Sequence, residues 1–132
     1  MGSRNYIERF TNFYKHWTVQ APLGPDVNTT NTLEYISRAY NAAGADRIDA
    51  IAIGNEPDTY GGDYTLDSYI QATVKLEQKI KKKLSLGTDP IFEILDTASG
   101  EPSGNFSVSK AFQDGIDSVP GTKYVAQHWY QT

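Results

Sequence analysis

The stretch Ile48-Asp49-Ala50-Ile51-Ala52-Ile53-Gly54 is the clearest strand pattern in the chain. Its segment 50–53 is wholly apolar, which is typical of a parallel strand that is covered on both faces. The run is short, as strands are, and it ends at a glycine, which favours a turn. These residues therefore predict a buried strand at 48–54 within a parallel sheet.

Helices and strands alternate on both sides of this strand. Apolar residues at spacings of three and four, and short apolar or alternating runs, predict helices at 4–15, 31–43, 66–85 and 108–117, and strands at 17–21, 48–54, 91–95 and 124–130. This order predicts an α/β fold with a parallel sheet and right-handed crossovers. A flavodoxin-like open sheet and half of a (β/α) barrel both fit it. No linker or repeat divides the chain, so residues 1–132 are expected to form one domain.

Polar residues and glycines mark the ends of two of these helices. Asn31, with Glu34 three residues later, predicts a capping box at the start of one helix, and Gly44 predicts its end. Thr65 predicts the start of the next helix, and Gly87 predicts its end.

The composition argues against several classes of partner. The chain has 132 residues, with 12 Lys+Arg against 16 Asp+Glu and a formal net charge of −4, so no basic face is expected for nucleic acid. No apolar run reaches the length of a membrane span. The first residues lack the apolar core of a signal peptide.

The sequence also predicts no cofactor and no metal. Cysteine is absent, which excludes disulfides and thiolate metal sites. The two histidines, His16 and His128, have no partners at metal-binding spacing. A glycine-rich phosphate loop after the first strand is also lacking, which disfavours a flavodoxin-like nucleotide binder.

The most specific motif, Gly-Asn-Glu-Pro-Asp at 54–58, follows the clearest strand directly. The C-terminal ends of parallel strands form the rim where α/β proteins build their sites. Glu56 is therefore a candidate catalytic carboxyl group, and Asn55 offers an amide to a substrate hydroxyl. Pro57 is expected to hold Glu56 in an extended backbone conformation.

This motif resembles the fourth-strand motif of retaining glycoside hydrolases with a (β/α)8 barrel. More narrowly, the chain resembles glycoside hydrolase family 79, the fungal β-glucuronidases and their heparanase relatives, through segments 17–24, 52–58 and 127–131. The resemblance covers most of the chain, from about Trp17 onward. It implies a partial (β/α)8 TIM barrel of about four βα units that correspond to barrel strands three to six.

The resemblance also implies roles for four residues. Glu56 matches the general acid/base, and Asn55 matches the asparagine that holds the sugar 2-hydroxyl. His128 and Tyr130 match a His-x-Tyr pattern on the sixth strand, which implies that His128 lines the glycone subsite and that Tyr130 hydrogen-bonds the nucleophile. The implied activity is cleavage of β-linked glucuronides by a secreted enzyme.

A retaining mechanism needs a second carboxyl group, about 5–5.5 Å from the first. In the resembled family it is a Glu on the seventh strand, which is expected to lie outside this chain. Asp96, at the end of the predicted strand 91–95, is the best substitute, ahead of Glu101, Asp58 and Glu93, and no motif matches any of them. We therefore expect the chain alone to be an inactive fragment, since a full barrel takes about 250 residues. Its two unpaired sheet edges would favour self-association.

Two alternative functions stay open. The motif also occurs in cellulase-like and arabinosidase-like barrels, so the sugar could differ. A non-catalytic α/β domain that binds a carbohydrate or another partner through the same rim would also keep Asn55 and Glu56 without a nucleophile.

Overall fold

The computed structural model describes residues 15–61, 63–98, 106 and 108–128. The strands are β1 (Trp17–Ala21), β2 (Ile48–Ile53), β3 (Phe92–Thr97) and β4 (Thr122–Gln127), and the helices are α1 (Thr29–Ala43), α2 (Leu66–Leu84) and α3 (Val108–Gln113). Short 3-10 helices occur at Ala45–Arg47, Pro57–Thr59 and Ile116–Ser118. The predicted helix at 4–15 falls outside the described residues, apart from Lys15.

The four strands form one parallel sheet in the order β1-β2-β3-β4. The predicted α/β class and parallel sheet are therefore confirmed. In a flavodoxin-like sheet the second and third strands lie on opposite sides of the first strand, so the strand order begins 2-1-3. The strands described here follow sequence order instead, which is compatible with a barrel-like unit and incompatible with the flavodoxin-like order.

The two faces of the sheet differ in chemistry. Val19, Ile51 and Phe92 occupy one register row across β1, β2 and β3, and they belong to the apolar core. The next row contains Gln20, Ala52, Glu93 and Tyr124. Register partners in a parallel sheet share a face, and successive residues alternate between faces. One face is therefore packed, and the opposite face carries polar groups.

The helices α1 and α2 contact each other and share one core cluster with the sheet. Ile36 of α1 and Tyr69, Leu76 and Ile80 of α2 are almost fully buried in it. The prediction that segment 50–53 is a buried run is confirmed, because all four residues are buried.

The first helix begins earlier than predicted. Asn28 is its N-cap, with its side-chain oxygen accepting a hydrogen bond of 3.2 Å from the backbone N–H of Asn31. The predicted cap at Asn31 with Glu34 is therefore wrong, because the helix contains a polar first turn before its apolar stripe starts. Gly44 lies directly after the helix with φ 90°, as predicted.

The second helix is capped as predicted at one end only. The Thr65 hydroxyl accepts a hydrogen bond from the Ser68 N–H. At the other end Ser85, and not Gly87, takes the left-handed conformation, with φ 53°. The N–H of Leu86 bonds the carbonyl of Lys81, which closes the last turn before the chain reaches Gly87.

Several further boundaries differ from the sequence prediction. The strand predicted at 91–95 runs from Phe92 to Thr97, because its pairing with β4 continues to Thr97 and Gln127. β4 begins at Thr122, two residues earlier than predicted, because Thr122 already pairs with Phe92. The helix predicted at 108–117 ends at Gln113 and is followed by the 3-10 helix at Ile116–Ser118, since Gly115 takes φ 82° between them. Within the described residues, β1 and β4 are each paired on one side, as expected for sheet edges.

Candidate functional site

Glu56, Asp96 and His128 lie at the C-terminal ends of β2, β3 and β4. We call this end of the sheet, where the three strands stop, the carboxyl edge. Because the strands are parallel neighbours, their ends bring together residues that are 32 to 72 positions apart in sequence. The parallel topology is therefore what creates the site.

The turn after β2 fixes the direction of Glu56. Gly54 takes φ 75°, and its N–H bonds the carbonyl of Ala21 on β1. A side chain at this position would be strained, and its Cβ would also lie 3.3 Å from the Tyr60 hydroxyl oxygen. The side-chain amide of Gln20 donates to the Gly54 carbonyl at 3.1 Å. These bonds attach the turn to β1.

Glu56 itself adopts a left-handed backbone conformation, with φ 48° and ψ 55°. The expectation that Pro57 would hold it extended is therefore wrong. The N–H of Glu56 donates to the Asp96 carbonyl at 2.9 Å, and its carbonyl accepts a 2.7 Å bond from the Thr59 hydroxyl. These contacts outweigh the local preference before proline and leave a non-glycine residue in a conformation that costs about 1–3 kcal/mol.

Two side chains from the 3-10 turn stabilise the motif. The Tyr60 hydroxyl accepts a 3.0 Å hydrogen bond from the backbone N–H of Asn55, and burial raises the pKa of Tyr60. The Asp58 carboxylate accepts a 2.9 Å bond from the N–H of Ala98, just after β3. Asp58 therefore serves the loop structure. Asn55 is exposed next to Glu56, where its amide can reach a ligand.

The central contact of the site joins Glu56 and His128. Nδ1 of His128 lies 2.9 Å from Oε1 of Glu56, which is within hydrogen-bond distance. The backbone N–H of His128 also donates to the Thr97 carbonyl at 2.9 Å. The hydrogen bond to Glu56 raises the pKa of His128, and the nearby carboxyl group of Asp96 acts in the same direction.

Asp96 lies near the other nitrogen of the same imidazole ring. Its Oδ1 lies 3.4 Å from Nε2 of His128, an ion-pair distance that is longer than a typical hydrogen bond. The Asp96 side chain is only 6% exposed, whereas the Glu56 side chain is 22% exposed. Burial, together with the negative charge of Glu93, raises the pKa of Asp96 to about 7. Asp96 is thus a buried acid that is partly protonated at neutral pH, and Glu56 is the carboxyl group open to a ligand.

A bulge in β3 aims Asp96 at His128. In the pairing with β4, Leu95 faces Ala126 and Thr97 faces Gln127, which leaves Asp96 as the extra residue. Leu95 and Asp96 both have positive φ values, 81° and 42°. Bulges of this kind change the direction of a side chain and are common beside functional sites.

The structure places some of the residues predicted from the sequence in the site, whereas others lie outside the described residues. The structure brings Glu56 and His128 into contact and places Asn55 beside them. Tyr130 and Glu101 lie outside the described residues. Asp96 was only a substitute candidate from the sequence, and the structure places it within the site. Its position at the end of a strand neighbouring β2 was the signal that could have ranked it higher.

The arrangement is suited to proton transfer. It combines an accessible carboxyl group, an imidazole and a buried acid. Among the described residues, no group of three His, Cys, Asp or Glu side chains is arranged to hold a metal ion.

In the part of the chain that the structure describes, no helix is long and apolar enough to cross a membrane.

The chain matches no protein-family model, and it matches no curated protein.

Proposed function

We propose that this chain forms part of a retaining glycoside hydrolase that cleaves β-linked glucuronides, with Glu56 as the general acid/base. The observation that carries the proposal is the position of Glu56, accessible at the carboxyl edge and hydrogen-bonded to His128. Such a carboxyl group can protonate the glycosidic oxygen and later activate a water molecule. The family 79 resemblance supplies the sugar class and an extracellular location.

The barrel architecture is part of the proposal. Four parallel strands in sequence order, with α1 and α2 packed side by side, are compatible with part of the repeating βα arrangement of a (β/α)8 barrel and support this proposal. In such barrels catalytic residues come from the C-terminal ends of several strands, and Glu56, Asp96 and His128 occupy three successive ones.

Asp96 is a poor candidate for the nucleophile of this reaction. A nucleophilic carboxylate must be ionised and must reach the anomeric carbon, whereas Asp96 is buried and has a pKa of about 7. We therefore assign the nucleophile to a strand that follows β4, as in the resembled family. By this assignment, residues 1–132 bind the substrate but do not turn it over alone.

Ligand binding tests the proposal directly. The ¹⁵N-labelled chain should be titrated with 4-nitrophenyl β-D-glucuronide, with the corresponding glucoside and arabinoside as comparisons. We expect saturable shifts of the Asn55, Glu56 and His128 amide signals with the glucuronide, which Glu56→Gln weakens. Glu34→Gln, a change at an exposed glutamate on α1, is the matched control and should bind as the unmodified chain does.

Each outcome has a defined meaning. Preference for the glucoside or arabinoside would replace the glucuronide assignment with another sugar. Absence of binding by all three glycosides would overturn the glycosidase proposal. Release of nitrophenol by the isolated chain, lost in Glu56→Gln, would overturn the assignment of the nucleophile to a further strand. In a polypeptide that turns the glycoside over, Glu56→Gln should lower kcat by about 10²–10⁴-fold.

The non-catalytic alternative is tested by the same ligands. A binding domain needs the carbohydrate contacts but no proton donor. Equal affinity of the unmodified chain and Glu56→Gln for the glucuronide would favour that alternative.

A further inference from the structure

Asp96 combines three unusual features that local structure alone does not require. It is the extra residue of a bulge, it has a positive φ of 42°, and its carboxyl group is almost completely buried. Its Oδ2 atom has no hydrogen-bond partner among the residues that the structure describes. Each feature costs free energy. Together they place the carboxyl group of Asp96 in contact with His128.

The contact influences which nitrogen of His128 carries a proton. When Asp96 is ionised, its carboxylate oxygen near Nε2 favours a proton on that nitrogen. In the neutral ring Nδ1 is then the acceptor, so the 2.9 Å contact to Glu56 requires the proton to be on Glu56. In the charged ring Nδ1 donates to the Glu56 carboxylate. In both states one proton lies between Nδ1 and Oε1.

We propose that Asp96 is a positioning residue, which orients the imidazole of His128 and keeps a proton on Nε2 of that ring. The proton between Nδ1 of His128 and Oε1 of Glu56 is then the one that Glu56 donates in the reaction. The catalytic part of this inference rests on the proposed function of Glu56. The orientation of His128 by Asp96 does not depend on it.

Other ionisable groups surround this pair. Glu93 of β3 repels the charged form of Asp96, and Glu56, after β2, bonds His128 from the opposite ring nitrogen. Burial raises the pKa of Tyr60, and the charges of Asp58 and Glu56 act in the same direction. A change in His128 can therefore be attributed to Asp96 only if Glu56 is varied in parallel.

NMR of His128 tests the inference without any enzymatic activity. The chain contains only two histidines, and His16 precedes β1 at the opposite end of the sheet. Imidazole ¹⁵N shifts identify the tautomer, and their pH dependence gives the pKa. Three variants should be compared with the unmodified chain: Asp96→Gly, Asp96→Asn and Glu56→Gln.

The two Asp96 variants separate charge from backbone strain. Glycine tolerates the positive φ, so Asp96→Gly removes the carboxyl group without straining the bulge. Asparagine keeps an acceptor oxygen and also tolerates this conformation. We expect Asp96→Gly to lower the His128 pKa by about half to one unit and to mix the tautomers. Asp96→Asn should lower the pKa but restore the Nε2–H tautomer.

Asp49→Asn is the matched control, because this carboxylate bonds Lys123 at the far end of the sheet. It should leave the His128 signals unchanged. An Asp96→Gly variant that keeps both the tautomer and the pKa of His128 would overturn the inference, even if glucuronide binding is intact. If His128 responds as expected but no glycoside binds, the proposed function fails and the positioning role of Asp96 stands.

Discussion

Glu56 shows how a single residue can be held against its local preference. Its backbone is left-handed immediately before a proline, and hydrogen bonds from Glu56 N–H to Asp96 and from Thr59 to the Glu56 carbonyl hold it there. The conformation directs the carboxyl group toward His128. Strain at this residue is therefore linked to the geometry of the site.

The strain at Glu56 can be measured with a pair of substitutions. Glu56→Gly and Glu56→Ala both remove the contact with His128, but only glycine adopts a positive φ at little cost. We expect the glycine variant to be more stable than the alanine variant by about 1 kcal/mol. Urea unfolding of both proteins gives this difference. Equal stability, or a more stable alanine variant, would show that the left-handed backbone is not retained.

Glu77 is a second residue held in an unfavourable setting. It lies on the buried side of α2, 2% exposed, with Oε1 unpaired among the described residues. Burial raises the pKa of Glu77 to about 8, and the charge of Lys81 opposes this only in part. The group is therefore mostly protonated at neutral pH.

Replacing Glu77 should stabilise the protein. Glu77→Leu removes a buried, unpaired polar atom, and we expect a gain of about 1–3 kcal/mol in the free energy of unfolding at pH 8. The gain should shrink at pH 5, where the carboxyl group is neutral in the folded state. Denaturant unfolding at both pH values measures it, and Glu34→Leu, on the exposed side of α1, should change stability little. A loss of stability at pH 8 would contradict this prediction.

Among the elements, α2 has a direct role in shaping the sheet. The hydroxyl of its Tyr69 donates to the Ile53 carbonyl at 2.9 Å and accepts a 2.7 Å bond from the Leu95 N–H. Direct register pairing between β2 and β3 is limited to Ile51–Phe92 and Ala52–Glu93. The hydroxyl thus bridges the two strands where they separate, just before Glu56 and Asp96.

Removing this hydroxyl should weaken the carboxyl edge. Tyr69→Phe keeps the ring in the core but leaves two buried backbone groups without their partner. We expect a loss of about 1–3 kcal/mol in unfolding free energy, with faster hydrogen exchange of the Leu95 amide. Tyr35→Phe, at an exposed tyrosine of α1, is the control. Unchanged exchange at Leu95 would show that the strands close up and pair directly.

At the scale of the whole molecule, several ionisable groups bind protons more tightly in the folded state than in the unfolded chain. The pKa is raised for Glu77 and Asp96, to about 8 and about 7, and it is also raised for His128. A group with a raised pKa stabilises the fold below its unfolded pKa, and this contribution is lost as the pH rises through the folded value. The pKa of Asp49 changes in the opposite direction, because the hydrogen bond to Lys123 lowers it. The stabilisation that Asp49 contributes is therefore lost only in acid.

The free energy of unfolding should therefore fall as the pH rises from about 5 to about 8.5. We expect a decrease of about 2 kcal/mol or more, measured by urea unfolding at constant ionic strength. The double variant Glu77→Leu/Asp96→Asn should flatten this dependence. A free energy of unfolding that stays constant or rises over the same pH range would contradict the raised pKa values of Glu77, Asp96 and His128.

The local elements and the position of the motif at 54–58 can be derived from the amino-acid sequence alone. Apolar runs and periodicity located β1, β2, α1 and α2, because these patterns depend on neighbouring residues and on which side of an element is buried. The motif at 54–58 was placed at a strand end for the same reason. Caps such as Thr65 were also readable, since they satisfy backbone groups within one turn.

Tertiary contacts define the strand order, the left-handed backbone of Glu56 and the inclusion of Asp96 in the site. These features depend on pairing between segments that are far apart in sequence, and the free energy of such pairing leaves no local pattern. The bulge at Asp96 arises from the register between β3 and β4, and the conformation of Glu56 is held by its bond to the Asp96 carbonyl. Local propensity predicted the opposite at Glu56 because long-range hydrogen bonds outweigh the steric preference of one residue.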